Sequence, residues 1–351
     1  MPSVRAAHPR TKLLRWWRAP LWAAQLFTGS KSFADNPIMG SRRLNEAGLH
    51  VRRVEMAHAL AAWRRRRLAR LIPSDLREQF DRDGYVKVEN FLPSDDFDAL
   101  RMALLERTLD VREHQQGDTI TRRTAIGPAL RRLVPALDAL LESAPWKGIL
   151  AYVASTRSTP LYYVQTILGG VAEGPMDPQV ELHSDTFHPS LKAWLFLTDV
   201  EQSGRPLVYV PGSHRLSPQR LAWERRKSVE VLDHGDRLSQ RGSLRIKPEE
   251  LAALGLGPPI HFAVPANTLV AIDTCGFHAR ASGTQPTKRV EIWAYCRRTP
   301  FLPWVGADPL SWRPLADRRA EWLARAVDWL DRRGLVKQHW VKTGAKRPLD
   351  L

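Results

Sequence analysis

Two potential metal ligands lie two residues apart in the segment VELHSDTFHP. On a strand, His183 and Asp185 point to the same face, so an imidazole nitrogen and a carboxylate oxygen can bind one ion. A non-haem iron(II) oxygenase uses a third ligand, usually histidine, and leaves open positions for a bidentate cosubstrate. His278, after the strand-like run NTLVAIDTCGF, is the candidate for that ligand.

Arg289 begins the run RVEIWAYC, eleven residues after His278. A dicarboxylate that chelates iron through its 2-oxo acid end leaves a second carboxylate, which a guanidinium can bind through two hydrogen bonds. Alternation along the run places Arg289 on one face with Glu291, and the pattern leaves open which face is inner. Gln165 precedes the His183 segment and is a candidate to hydrogen-bond the cosubstrate, or a polar residue at a strand edge.

The His183–Asp185 pair alone is weak support for a metal site, because such spacing occurs often by chance. The ordered series of this pair, GRPLVYVPGSH, His278 and Arg289, together with FDRDGYVKVENFLPSDDF, resembles the phytanoyl-CoA dioxygenase family over roughly residues 74 to 300. The resemblance implies a double-stranded β-helix, with His183, Asp185 and His278 binding Fe(II) and Arg289 binding 2-oxoglutarate. It also admits ascorbate as a supporting reductant.

The remaining pattern predicts an α+β protein with a jelly-roll, cupin-like core, flanking helices and a basic helical N-terminal extension. Residues 74 to 105 read as helix, strand and helix, and from Leu161 five β-rich runs follow, separated by Gly, Pro and Ser. We assign residues 73–351 to the catalytic domain, with C-terminal helices from about residue 315 and a basic tail.

Residues 1–72 carry fifteen Lys and Arg against three acids, which is +12 of the total charge of +16. Residues 12 to 28 mix cations, tryptophans and leucines, and Glu46 to Ile72 has helical spacing beside Arg64 to Arg67. The sequence predicts that this extension either binds an anionic membrane surface or packs on the domain, and nucleic acid is the least favoured partner. With no membrane-spanning run and only two cysteines, we expect a cytoplasmic protein, peripheral on the inner face of the membrane.

A Trp- and Arg-rich extension points to a substrate at a membrane. In overall plan the chain resembles the bacterial Kdo 3-hydroxylases, which implies an anionic glycolipid, the lipopolysaccharide precursor, as substrate. Arg122, Arg123, Arg131 and Arg132 are candidates to meet its acidic groups, with a solvated helix face as the alternative. Three other readings stay open: the same chemistry on a fatty-acyl, polyketide or other lipid-like molecule, a non-catalytic membrane- or nucleic-acid-binding scaffold, and a metal hydrolase that uses HSDTFH.

Overall fold

The computed structural model describes residues 16–283, 285–306 and 308–351, without the side chains of residues 16 and 310. Residues 1–15 of the predicted extension lie outside this description. The helices are α1 (Ala19–Gln25), α2 (Arg42–Glu46), α3 (Leu49–Leu68), α4 (Ser74–Asp83), α5 (Ser94–Leu105), α6 (Pro128–Leu133), α7 (Pro135–Glu142), α8 (Ala144–Ala154), α9 (Pro218–His234), α10 (Arg237–Gln240), α11 (Pro248–Ala253) and α12 (Arg313–Asp331). The strands are β1 (Tyr85–Val88), β2 (Leu109–Gln116), β3 (Thr119–Ala125), β4 (Leu161–Gly169), β5 (Leu191–Phe196), β6 (Leu207–Tyr209), β7 (Ile260–His261), β8 (Leu269–Asp273), β9 (His278–Arg280), β10 (Thr287–Cys296) and β11 (Val341–Lys346).

Two antiparallel sheets form the core, as expected for the predicted jelly roll. The larger sheet has the strand order β1-β8-β5-β10-β4-β3-β2-β11, and the smaller sheet has the order β7-β6-β9. His183 forms isolated bridges with both Arg245 and His278, which extend the smaller sheet beyond β9. The fold class predicted from the sequence is confirmed.

Strand β10 lies inside the larger sheet, and both of its faces are covered. Val290, Ile292 and Ala294 point into an apolar core shared with α5, α7 and α8, where Leu137 and Trp146 are fully buried. The opposite face carries Arg289, Glu291, Trp293 and Tyr295. This face, which the sequence pattern left undecided, therefore points towards the second sheet and the site described below.

The predicted helix of the N-terminal extension exists as α3 and packs on the domain. Val54, Ala57, Ala61 and Leu68 form its buried apolar stripe. Arg64 is also buried and donates hydrogen bonds to the carbonyl oxygens of Ser155, Pro300 and Leu302, at 2.8 to 3.0 Å. A basic residue of the predicted amphipathic helix thus fixes this helix to the domain.

Arg53 and Arg65 also act within the fold. Arg53 donates to the carbonyl oxygens of Leu26, Thr28 and Ser30, which holds the preceding segment against α3. Arg65 forms an ion pair with Asp273, with 2.9 Å between Nη2 and Oδ2. Arg52, Arg66, Arg67 and Arg70 remain exposed or partly exposed.

The segment that contains Arg122 and Arg123 is strand β3 and not a helix, so the alternative of a solvated helix face is wrong for these two residues. The basic tail contains a further strand, β11, which pairs with β2 at the edge of the larger sheet. Arg122 is buried and contacts Glu113 and the carbonyl oxygens of Arg347 and Asp350, so it holds this tail in place. No helix in the described ranges is long and apolar enough to span a membrane.

Candidate active site

The segment that carries His183 pairs with the strand that carries His278. The backbone N–H of His183 donates to the carbonyl oxygen of His278 at 3.0 Å, and the reverse bond measures 2.9 Å. The N–H of Asp185 donates to the carbonyl oxygen of Thr274, in the loop between β8 and β9, at 2.9 Å. Backbone pairing therefore brings together three predicted ligands that are far apart in the chain.

The side chains of His183, Asp185 and His278 converge on one point. Oδ1 of Asp185 lies 3.6 Å from Nε2 of each histidine, and the three atoms lie within 4.8 Å of one another. Nδ1 of His183 bonds to the carbonyl oxygen of Glu181 at 2.7 Å, and Nδ1 of His278 bonds to that of Gly276 at 3.0 Å. These bonds fix the tautomers that leave both Nε2 lone pairs directed at Asp185.

A divalent metal fits this arrangement. Nε2 of His278 is buried and has no hydrogen-bond partner in the described part of the chain, which is unfavourable unless an ion binds there. Burial lowers the pKa of His183 to about 4, so its imidazole is neutral at pH 7. Burial alone would raise the pKa of Asp185, but the Lys192 ammonium and His278 together hold it well below its usual range. Two imidazoles and one carboxylate are the donor set expected for iron(II).

Two lysines contact Asp185. Nζ of Lys192 lies 2.7 Å from Oδ2 of Asp185, so the carboxylate uses one oxygen for the lysine and keeps Oδ1 for the metal position. Nζ of Lys31, from the N-terminal extension, donates to the backbone carbonyl of Asp185. The extension therefore contacts the candidate site directly.

A cavity of about 180 Å³ opens from the two histidines between the sheets. Its wall includes His183, His278, Arg289 and Gln165, so the structure brings the candidate cosubstrate residues to the same space as the candidate ligands. The other lining residues are Gln116, Thr121, Arg123, Gln179, Lys192, Trp194, Leu207, Ala279, Arg280, Trp293 and Trp340. No carboxylate stands among these lining residues.

Arg289 and Gln165 are held by one buried acid, Glu291. Oε2 of Glu291 accepts from Nε of Arg289 at 3.1 Å, and Oε1 accepts from Nε2 of Gln165 at 2.6 Å. Nη1 of Arg289 donates to the carbonyl oxygen of Arg205 at 2.6 Å, which leaves Nη2 for a ligand. Gln165 also accepts from Arg123, so both ends of its amide are already bonded, and a cosubstrate contact by Gln165 stays a prediction.

The sequence did not identify several residues of this wall. Lys192 lies on β5 and Arg280 on β9, two residues after His278, where period-2 alternation would have indicated the same face. Arg123 was named only as a contact for acidic groups, and Trp340 gave no signal, because it follows α12 and reaches the cavity only through the tail. Arg131 instead contacts three acids, Asp138, Glu142 and Asp317, and Arg132 is exposed.

Two further histidines lie outside the cluster. Nδ1 of the buried His188 contacts the carbonyl oxygen of its neighbour Pro189 at 3.0 Å, and His214 packs against Phe80. The metal-competent group contains His278 and not His188. The alternative of a hydrolase built on HSDTFH therefore has no third ligand from that motif.

Residues 80–231 match the model of the phytanoyl-CoA dioxygenase family. No curated protein sequence matches the chain. Among solved structures, the epimerase SnoN in complex with Fe3+, alpha ketoglutarate and nogalamycin RO is 20% identical over 69% of this chain and 93% of its own, with a TM-score of 0.41. HygX from Streptomyces hygroscopicus with nickel and 2-oxoglutarate bound is 16% identical over 64% of this chain and 86% of its own, with a TM-score of 0.40. EctD from S. alaskensis with bound Fe is 17% identical over 70% of this chain and 85% of its own, with a TM-score of 0.38. These structural likenesses are too distant to assign residues, and the family match confirms the resemblance inferred from the sequence.

Proposed function

We propose that this chain, which matches the model of the phytanoyl-CoA dioxygenase family over residues 80–231, is an iron(II)- and 2-oxoglutarate-dependent oxygenase that hydroxylates the acidic Kdo sugar of a lipopolysaccharide precursor at a membrane surface. His183, Asp185 and His278 would hold the iron, and Arg289 would bind the distal carboxylate of 2-oxoglutarate. When bound, iron and 2-oxoglutarate supply the oxidising power that inserts oxygen into a C–H bond.

The observation that carries the choice of substrate is the composition of the cavity wall. Its cations are Arg123, Lys192, Arg280 and Arg289, and its other side chains are mainly amides and indoles. Amides can hydrogen-bond sugar hydroxyls, indoles can pack on a sugar ring, and the cations favour an anion. A fatty-acyl chain would need a long aliphatic tunnel, whereas the only aliphatic residues in this wall are Leu207 and Ala279.

The chain's own residues orient the reactants and control water. Arg289 is buried and fixed by Glu291, so it can hold a carboxylate at a set distance from the metal position. Trp194 and Trp293 are buried beside the cavity, which limits the entry of water. Lys192 keeps one oxygen of Asp185 occupied and so orients the other.

Membrane contact is proposed for helix α1 and its neighbours. Trp17, Leu21 and Phe27 are 73%, 56% and 70% exposed, and Arg18 lies beside them. Exposed rings and a cation in one short segment suit the headgroup layer of an anionic bilayer. The exposed aromatic side chains of the described extension lie beside α1, whereas the apolar stripe of α3 is buried against the domain.

The central experiment measures succinate formation and oxygen incorporation with iron(II), 2-oxoglutarate and a Kdo-containing lipid A precursor. We expect the precursor to gain one oxygen and to stimulate succinate formation, and we expect acyl thioesters to do neither. His183→Ala should lose both activities, because the metal would lose one of its three ligands. Equal turnover by wild type and His183→Ala would contradict the metal assignment, and stimulation by acyl thioesters alone would favour the lipid-like substrate.

Membrane contact is tested separately with vesicles that contain an anionic lipid. Replacing Trp17, Leu21 and Phe27 together by serine should release the protein from the vesicles while its thermal unfolding stays unchanged. Deletion of residues 1–72 is a poorer test, because it would also remove Lys31, Arg53 and Arg64 from the fold. Undiminished vesicle binding by the triple variant would refute the anchor.

A further inference from the structure

Arg123 lies on β3 with its guanidinium held between aromatic rings. Its Cζ atom lies 3.9 Å from the ring centre of Trp293 and 4.4 Å from that of Trp340, with Tyr163 at 5.3 Å. Nε donates to Oε1 of Gln165 at 2.6 Å. Stacking and one hydrogen bond therefore fix the plane of the guanidinium at the wall of the cavity.

Three of the four cations in this wall have acid partners. Arg289 pairs with Glu291, Arg280 with Asp177, and Lys192 with Asp185. No carboxylate forms an ion pair with Arg123 in the described part of the chain, and no hydrogen bond of its Nη1 or Nη2 is found there. Burial lowers the pKa of Arg123 to about 10, so the guanidinium is still charged at pH 7.

We propose that Arg123 binds a carboxylate of the primary substrate, while Arg289 binds the cosubstrate. This inference rests on the proposed function and adds the residue that recognises the substrate's carboxylate. The two free nitrogens of Arg123 match the two oxygens of a carboxylate, and such paired bonds are among the strongest polar contacts in proteins. A cation with no acid partner in a small cavity makes a neutral substrate unfavourable, because the charge would stay uncompensated.

The charges favour a single carboxylate over a phosphate at this position. The acids described above already offset the other three cations, and 2-oxoglutarate brings two negative charges against two from iron(II). Among the cations of the cavity wall, only the charge of Arg123 then remains, and a monoanionic carboxylate would balance it, whereas a phosphate dianion would exceed it. The substrate class is therefore a compact acid whose ring can lie beside Trp293 and Trp340.

The test uses the protein loaded with iron(II) and 2-oxoglutarate without oxygen. Free 3-deoxy-D-manno-octulosonic acid and its carboxamide are titrated by calorimetry into wild type, Arg123→Gln and Arg123→Lys. Arg132→Gln is the matched control, because it removes the same charge from an exposed position. Circular dichroism and thermal unfolding of each variant identify any loss of fold.

We expect wild type and Arg132→Gln to bind the acid at least about 30-fold more tightly than the carboxamide, and Arg123→Gln to lose this preference. Arg123→Lys should keep part of the preference, because the positive charge remains while the two parallel N–H donors of the guanidinium are lost. A merely structural role for Arg123 would change the affinity for acid and carboxamide equally, so an unchanged ratio in Arg123→Gln overturns the inference. Failure of wild type to bind the acid overturns it as well.

The same samples separate this inference from the proposed function. A larger loss of 2-oxoglutarate binding than of acid binding in Arg123→Gln would assign Arg123 to the cosubstrate and overturn the inference. The proposed function is decided by oxygen incorporation into the lipid precursor, which is a different measurement. If wild type incorporates oxygen into the lipid precursor but binds the acid and the carboxamide equally well, the proposed function stands and the role of Arg123 is rejected.

Discussion

The ion pair between Arg65 and Asp273 connects the N-terminal extension to the end of β8, just before the loop that leads to His278, and Arg65→Met should break it. Arg65 also donates to the carbonyl oxygens of Tyr152 and Val153 and lies over the ring of Phe80. Methionine keeps the unbranched side chain and the helix propensity at this position. The substitution therefore removes charge and hydrogen bonds with little change in packing.

The size of the effect follows from the burial of Asp273, whose side chain is fully buried. Its Oδ1 accepts from the N–H groups of Ser190 and Cys275, at 3.1 and 3.2 Å, and Arg65 is the cation bonded to Oδ2. Removing one partner of a buried ion pair leaves an uncompensated charge, at a cost of about 3–5 kcal/mol. We therefore expect Arg65→Met to lower the free energy of unfolding by about 3–5 kcal/mol at pH 7.

Urea unfolding followed by circular dichroism measures this loss, with Arg66→Met as the control. Arg66 is the next residue on the same helix and is exposed, so its substitution should change the free energy of unfolding by under about 0.5 kcal/mol. Asp273→Asn completes a double-mutant cycle, because Arg65→Met should cost only about 1–2 kcal/mol once the acid is neutral. Similar losses for Arg65→Met and Arg66→Met would refute the view that this ion pair fixes α3 to the domain.

Three other predictions concern the site and its supports. Arg289→Gln should raise the KM for 2-oxoglutarate by roughly 30-fold or more in succinate assays, and an unchanged KM would reject its role. Nickel should raise the Tm of wild type but not of His278→Ala, as measured by calorimetry, since only the complete set of ligands binds the ion tightly. Despite burial, the partners Arg220 and His50 lower the pKa of Glu224 to about 2. Glu224→Gln should therefore lower the free energy of unfolding most above pH 4.5, and the difference from wild type in urea unfolding should disappear as the pH falls towards 2. A difference that does not depend on pH would contradict this.

The parts of the fold that follow simple periodicity could be predicted from the sequence. Helices α4 and α5 and strands β4, β5 and β10 lie where apolar spacing and turn residues indicate them. Strands β2 and β3 were not predicted, because the inner positions of β3, such as Thr121 and Arg123, line a polar cavity. Alternation of apolar and polar residues does not mark such a strand.

The candidate site was predictable to the extent that its residues lie in short motifs. The assignment of His183, Asp185 and His278 to one metal ion could be made from their motifs. The inner face of β10 could not be predicted, because helices cover one face of this strand and the cavity lies on the other. The run Arg64 to Arg67 illustrates the same limit, since only the docking of α3 decides that Arg64 is buried and Arg66 exposed. Tertiary contacts, and not local sequence, select between such neighbours.

The backbone pairing of His183 with His278 has a consequence for how the protein assembles. These residues are paired directly although a long stretch of chain separates them, so the contact brings together two segments that are far apart in the sequence. Before it forms, the chain presents two of the three candidate metal ligands, His183 and Asp185. Iron would therefore bind the complete set of ligands only after this contact has formed, and its binding would stabilise the folded state.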